Sequence, residues 1–323
     1  MSEITMRHRT LGMSGGLIAR AADAGLIVWF VVGALVVFSA MGSDLFLSPR
    51  NLGNAMGQMV VLGLLAIGQT FVILVGAIDL SVGSMVKLSA VLTAGLIDGD
   101  SSRVVPVVSG VLALGAAVGY VNGWISTRFG ITPIITTLGT LSVLEGLAFA
   151  YTTVPVGSIP PGLASTAYQG IGPAPYTFLL FLAVAIIAPF VLRRTTFGQR
   201  IYAVGGDAQV ARRAGIDPKR VTIQAMMICS TLAALAGVVT AIRSGVGTPT
   251  AGQGLELAAI TAVVVGGASL FGGRGRVLGS IGGAALITLI GNSLNLLGVS
   301  SFSKDLVRGM VIVAAVAIFI RKD

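Results

Sequence analysis

Residues 68 to 90 read GQTFVILVGAIDLSVGSMVKLSA, an apolar run interrupted by Ala77-Ile78-Asp79 and then resumed. In a soluble chain such a break would be a surface turn. Here 54% of the 323 residues are hydrophobic and only 10% are charged, with a mean hydropathy of +0.94, beyond the range of soluble domains. An acid in this setting is not ordinary surface.

Outward from Asp79, apolar blocks of about 20 residues alternate with short polar joints, the spacing that a hydrocarbon core about 30 Å thick imposes on helices. Barrel strands would instead give ~10-residue alternating segments, which the chain lacks. The expected spans are 24–43, 56–76, 82–98, 104–125, 132–150, 173–192, 222–242, 257–272, 277–297 and 305–320. The fold class is therefore an all-α polytopic membrane protein of about ten transmembrane helices, with a tail over 1–23 and one transmembrane domain over 24–323.

Charge orients the spans. With the N-terminus inside, Arg7, Arg9, Arg20, Arg128, Arg193, Arg194, Arg200, Arg212, Arg213, Lys219, Arg220, Arg274, Arg276, Arg321 and Lys322 fall on the inner side. Only Arg50, Arg103, Arg243 and Lys304 fall outside, which gives N-in and C-in. Five spans on each side of residue 172 would then run in opposite senses, as inverted five-helix halves. IDLSVG opening the third span and LELAAI opening the eighth, each an acid followed by Leu, carry a short echo of such a repeat.

The excess of 21 Lys and Arg over 12 Asp and Glu fits inner loops facing anionic lipid. A nucleic-acid platform would interleave aromatics with the basic clusters, and this chain does not. The single cysteine, Cys229, lies in an apolar run and reads as a packing residue. The single histidine, His8, sits between Arg7 and Arg9, which excludes a histidine-based metal site. There is no Gly-Lys dipeptide to cradle phosphates, no nucleophile elbow, and no H-E-x-x-H or C-x-x-C. The expectation is a non-catalytic chain that binds no cofactor of its own, so that active transport would be driven either by ion flux or by a separate subunit.

Ionisable groups inside the membrane demand compensation, since a carboxylate near the bilayer centre costs about 2.5 to 3.5 kcal/mol. Asp79 has two readings that are compatible with each other. It N-caps the third helix through the backbone N–H of Gly83 or a neighbour, or it marks a discontinuous element lining a polar cavity. Glu145, about 13 residues into the fifth span, and Glu256, opening the eighth, need water or a partner. Lys87 lies two turns beyond Asp79 and snorkels only near an interface.

On the ninth span Thr288, Asn292 and Asn295 share one face. With Gln69 and Asn122 they form uncharged donor-acceptors suited to a polyhydroxylated solute rather than an ion. The candidate translocation path is thus Gln69, Asp79, Ser81, Asn122, Glu145, Glu256, Asn292 and Asn295. Among the 45 glycines, Gly115, Gly119 and Gly123, and again Gly279 and Gly283, repeat at i+4 and read as helix-packing seams.

Two joints are long. Residues 151–172, with IPPG and GPAP, are expected outside as turns. Residues 193–221, RRTTFGQRIYAVGGDAQVARRAGIDPKRV, are expected inside. There a Gly205-Gly206 turn leads to Asp207 as N-cap, a short helix through Arg213, a stop at Gly215 and a restart at Asp217-Pro218. Positive-inside charge alone does not require that order, so the segment reads as a docking element for an inner partner.

GAIDLSVGSM, FGQRIYAVGGDAQVARRAGI, PTAGQGLELAAITAVVVGGASLFGGRGRVLGS and NSLNLLGVSS together resemble the membrane permease of bacterial ribose-type sugar ABC importers, which also serve xylose, galactose, galactofuranose and autoinducer-2. The likeness runs from about residue 50 to the end, in order. It implies a permease dimer in the inner membrane, cytoplasmic ABC ATPase subunits that hold ATP and Mg, a periplasmic sugar-binding protein and alternating access.

The resemblance also implies that the ATPase-coupling helix corresponds to Gly205, Gly206, Asp207, Ala208, Ala211, Arg212, Arg213, Gly215 and Ile216. Where the family commonly has Arg this chain has Glu145, and Lys87 stands where a small apolar residue is common. That departure implies altered substrate contacts or a co-varied pair across a homo- or heterodimer. An amino-acid or nucleoside ABC permease, and a proton-coupled symporter using Asp79, Glu145 and Glu256 as relay acids, are the rival expectations.

Overall fold

The computed structural model describes residues 25–299 together with 309 and 310. The tail 1–23, the expected span 305–320 apart from residues 309 and 310, Lys304 and Arg308 therefore lie outside the described residues. Among the described residues the helices are α1 (Leu26–Gly42), α2 (Pro49–Leu74), α3 (Val82–Ile97), α4 (Val104–Phe129), α5 (Pro133–Tyr151), α6 (Tyr176–Arg194), α7 (Thr196–Gly206), α8 (Ala208–Arg213), α9 (Pro218–Ser244), α10 (Leu255–Val265) and α11 (Val277–Leu296). Six of them, α2, α4, α5, α6, α9 and α11, are long and apolar enough to cross a membrane, while α1, α3 and α10 are apolar but shorter. The chain is a multi-pass membrane protein.

Two boundaries differ from the sequence expectation by more than four residues. Helix α2 begins at Pro49 rather than residue 56, because Ser48 caps it by accepting from the Asn51 N–H and Pro49 presets the first turn. Arg50, Asn51 and Asn54 hide those turns from a hydropathy reading. The expected span 257–272 is helical only to Val265. The chain then leaves the helix, with Gly267, Gly272, Gly273 and Gly275 at positive φ that side chains rarely adopt. The joint 151–172 is not all turn: it holds short helical turns at Pro161–Ala164 and Ser165–Ala167, and Gly170–Ile171 pairs antiparallel with Ala174–Pro175.

At the centre, α9 packs against α2, α3 and α4, and α2 also meets α6, α10 and α11. Most of α2 is enclosed, whereas α4, α5 and α6 are exposed along most of their length. What they expose is apolar, including Val105, Ile135, Leu147, Ile186 and Phe190. A helix surrounded by helices with an apolar outer ring is the arrangement a lipid solvent selects, because each helix satisfies its own backbone.

With lipid outside, helices associate through close packing rather than hydrophobic exclusion. The seams anticipated at the spaced glycines carry that packing. A Cβ built on Gly115 would lie 2.7 Å from the Ala234 Cβ, one on Gly119 would lie 2.6 Å from the Met227 Cα, and one on Gly123 would lie 2.7 Å from the Ile223 Cα. Thus α4 and α9 touch backbone to backbone. Gly283 plays the same part between α11 and α10, where a Cβ would lie 3.0 Å from the Ala262 Cα.

Gly119→Ala is expected to force α4 from α9 and destabilise the fold by about 1 to 3 kcal/mol. Gly139→Ala in α5, where a Cβ meets nothing within 4 Å, is expected to leave stability unchanged or slightly raised. Thermal unfolding of the purified protein in detergent checks both, and equal midpoints would remove the seam argument.

Candidate functional site

Between α2 and α3 the chain leaves the helix over residues 75–81, and every polar group exposed there has to find a partner within protein. The Asp79 carboxylate takes the Ser81 N–H (2.9 Å) and the Ser81 hydroxyl (2.5 Å) on Oδ1, and the Ser230 hydroxyl of α9 (3.1 Å) on Oδ2. Gln69 donates to the Asp79 carbonyl (3.3 Å), while its own Oε1 accepts from Cys229 Sγ (3.4 Å). Thr137 of α5 accepts from the Leu80 N–H at 3.1 Å and lies 3.2 Å from the Ile78 carbonyl. Asn122 of α4 donates to Ser81 Oγ (3.1 Å) and accepts from Thr140 of α5 (2.6 Å).

Gln69, Asp79, Ser81 and Asn122 are thus brought into one network and have no solvent-accessible surface. Of the two compatible readings of Asp79, the one in which it caps α3 through the N–H of Gly83 or a neighbour is corrected. Its carboxylate closes a tight turn on Ser81 two residues ahead, and Ser81 occupies the cap position with no side-chain cap bond. The network's other members, Ser230, Thr137 and Thr140, were not singled out from sequence, because a hydroxyl inside an apolar helix leaves no hydropathy signal.

The remaining path candidates lie elsewhere. Lys87 and Glu145 form an ion pair between α3 and α5 of the same chain; of the two alternatives, altered substrate contacts or a pair across a dimer, the pair is the one seen, made within one chain. Lys87 is 5% exposed and Glu145 41%, and the ammonium also lies 4.8 Å from the Phe149 ring centroid. Glu256, half-buried in the first turn of α10, rests its carboxylate against Gly83 of α3, where a Cβ would collide with it. Asn292 exchanges amide hydrogen bonds with Asn51 of α2 (2.8 and 3.0 Å), Asn295 is exposed, and Thr288 faces a cavity. The expected polar stripe on α11 is therefore split among three surroundings.

In the segment 193–221 the structure corrects one feature. Gly205-Gly206 is no turn but the end of α7, and Gly205 is the tight position: a Cβ there would lie 2.5 Å from the Gly273 N, which itself donates to the Leu74 carbonyl (2.9 Å). Gly206 has open space. Tyr202 donates to the Gly275 carbonyl (2.9 Å), and burial raises its phenol above the usual value, keeping that proton in place. The segment is so pinned to the end of α2 and to the glycine-rich 266–276 stretch.

The caps of α8 are as expected. Asp207 accepts from the N–H groups of Gln209 (2.7 Å) and Val210 (3.0 Å). At the other end Gly215 (φ +80°) turns the chain left-handed, while its N–H reaches Arg212 O and that of Ile216 reaches Ala211 O, both 3.0 Å. Asp217 then caps α9 by accepting from the Lys219 N–H (3.0 Å). Ala211 is buried against the bundle, and Ala208, Arg212 and Arg213 point away. So does Val210, at 60% exposure. Sequence reasoning passed over Val210; its signal was one large apolar side chain among Gln, Ala and Arg.

A cavity of about 450 Å³ lies between α2, α9, α10 and α11, with Gln58, Thr240, Arg243 and Thr288 in its wall. Its residues on α9 are at the C-terminal end, so the 27-residue helix puts it about 35 to 40 Å from Pro218 and the α8 segment.

The family described as "branched-chain amino acid transport system / permease component" matches residues 51–316. The ribose import permease protein RbsC of Bacillus subtilis is 40% identical over 90% of this chain and 90% of its own length. The D-allose transport system permease protein AlsC of Escherichia coli is 34% identical over 90% of each. The L-arabinose ABC transporter permease protein AraH of Azospirillum brasilense is 33% identical over 98% of this chain and 96% of its own. No solved structure matches.

Glu145→Gln is expected to leave the buried Lys87 ammonium without a counter-ion and cost about 3 kcal/mol, whereas the double change Lys87→Met with Glu145→Leu is expected to return to within about 1 kcal/mol of wild type. Unfolding midpoints of the three proteins in detergent decide this. If single and double changes cost the same, the pair is not coupled.

Proposed function

The chain belongs to this family of transport-system permeases, and on that premise we propose that it is the permease subunit of an ATP-binding-cassette importer for a monosaccharide or related polyhydroxylated solute. The relatives named for ribose, allose and arabinose support a sugar over the amino acids in the family's description. In this reading the chain has about ten spans in inverted halves, N-in and C-in, in a bacterial inner membrane. It pairs with a second permease, takes solute from a periplasmic binding protein, and is driven by ATP and Mg held on cytoplasmic ATPase subunits.

The observation that carries the reading is the capped α8 helix, fixed at both ends and presenting Val210 with Arg212 and Arg213. An exposed apolar knob flanked by cations suits a protein groove with an acidic rim. Gly205, Gly206, Asp207, Ala208, Ala211, Gly215 and Ile216 position it. ATP-driven movement of the ATPase pushes α8, and the contact of Gly205 with the Leu74 carbonyl and Gly273 delivers that push to α2 and the 266–276 stretch. Helices α2 and α3 then rock about the break at Asp79, with Gln69, Ser81, Asn122, Glu145, Glu256, Asn292 and Asn295 along the moving interfaces. Alternating access follows from two arrangements of those interfaces.

Val210→Asp is expected to lower ATP-dependent sugar uptake roughly tenfold or more and to weaken co-purification with the ATPase, because one central apolar contact commonly carries that much. Reconstituted vesicles containing the ATPase and binding protein provide the measurement. Uptake that persists without the ATPase and collapses with an uncoupler would overturn the importer reading.

A further inference from the structure

Arg243, at the last turn of α9, has no part in the proposed coupling. Arg243 lines the 450 Å³ cavity, and its guanidinium packs against Gly57 of α2, where a Cβ would come within 3.1 Å of the guanidinium carbon and Nε. Nε is buried and has no hydrogen-bond partner. Among the described residues no ion pair or hydrogen bond reaches the side chain. A buried donor left unsatisfied is costly, and Arg243, an all-donor side chain of a cavity-lining residue that meets no protein acceptor among the described residues, points to a ligand that accepts from its guanidinium.

The neighbouring groups identify the chemistry. Thr240 Oγ1 donates to the Ala236 carbonyl (2.8 Å), the Tyr168 hydroxyl donates to the Arg243 carbonyl (2.6 Å), and Ser244 Oγ donates to the Thr240 or Val246 carbonyl (2.9 and 2.6 Å). With their hydrogens committed to backbone, these oxygens present only lone pairs to the cavity. Arg243 presents only donors, and Gln58 presents both. Val61, Leu62, Leu255 and Ile287 form an apolar floor.

A carboxylate or phosphate would gain Arg243 but face three acceptor oxygens. A polyol satisfies both sets, since each hydroxyl donates and accepts, and its C–H face covers the apolar side chains. We infer that this cavity is the outer solute site of the permease, in which Arg243 donates to neighbouring hydroxyls of a neutral monosaccharide while Thr240, Ser244 and Tyr168 accept from them. The inference rests on the sugar-importer reading for its role in transport, but not for the binding itself.

The test is saturation-transfer NMR on the full-length chain purified in detergent, with D-ribose, D-allose and L-arabinose at millimolar concentration and D-glucuronate as the anionic control. Saturation of at least one neutral sugar is expected, stronger than for glucuronate, and reduced about tenfold in Arg243→Gln by loss of charge-assisted hydrogen bonds. Thr288→Val, on the facing helix, serves if the arginine variant fails to fold, and is expected to weaken the same signal.

Equal saturation in wild type and variant, none in either, or a preference for glucuronate would overturn the site. So would unchanged sugar binding with loss of capture of the binding protein, which would make Arg243 a docking contact. Failure of ATP-dependent uptake with sugar binding intact would instead strike the importer reading and leave this site standing.

Discussion

The structure depends on how one buried carboxylate is satisfied. Asp79 sits where α2 has ended and α3 has not begun, so the chain there carries unpaired backbone groups as well as an acid. In hydrocarbon neither is tolerable alone. The solution joins both problems: side chains from α2, α5 and α9 bond either to the carboxylate or to the open backbone of 78–80, and Asn122 of α4 holds the Ser81 hydroxyl that itself bonds the carboxylate. Four helices are thereby tied to a single break.

That position acquires meaning from what lies at its two ends. Towards one, Gly205 rests on the Leu74 carbonyl and shares it with Gly273, so a displacement of α7 and α8 reaches α2 through backbone atoms that have no slack. Towards the other, the cavity wall is made from α2, α9, α10 and α11, the helices joined by close glycine contacts and by the Asn51–Asn292 amide pair. Rigid packed helices transmit discrete rearrangements rather than gradual strain. Packed helices run from α8 to the cavity, with a break over residues 75–81.

Legibility varied with the range of the interaction. Asp207, Gly215 and Asp217-Pro218 were read in place, because a cap involves residues two or three apart and its chemistry is written in consecutive letters. The glycine seams were legible for the same reason, since an i+4 repeat defines a helix face whatever lies opposite. Gly205-Gly206 was misread as a turn because a glycine pair suits either a bend or a close contact, and only Leu74 and Gly273 decide between them. Asp79 was recognised as anomalous, but its partner Ser230 lies 151 residues away, and Arg243 looked like one of the few outer-loop cations.

By itself the sequence determined the solvent and the local syntax: apolar blocks of membrane length, the sign of each joint, the caps and the stops. These follow from transfer energies and short-range sterics, which need no knowledge of neighbours. Tertiary structure alone decided which polar residues became glue and which face open space. Asn292 met Asn51, Lys87 met Glu145 within one chain, and among the described residues Arg243 Nε met no acceptor. The reason is that in lipid a polar side chain is defined by its partner, and the partner comes from whichever helix the glycine seams bring within about 3 Å.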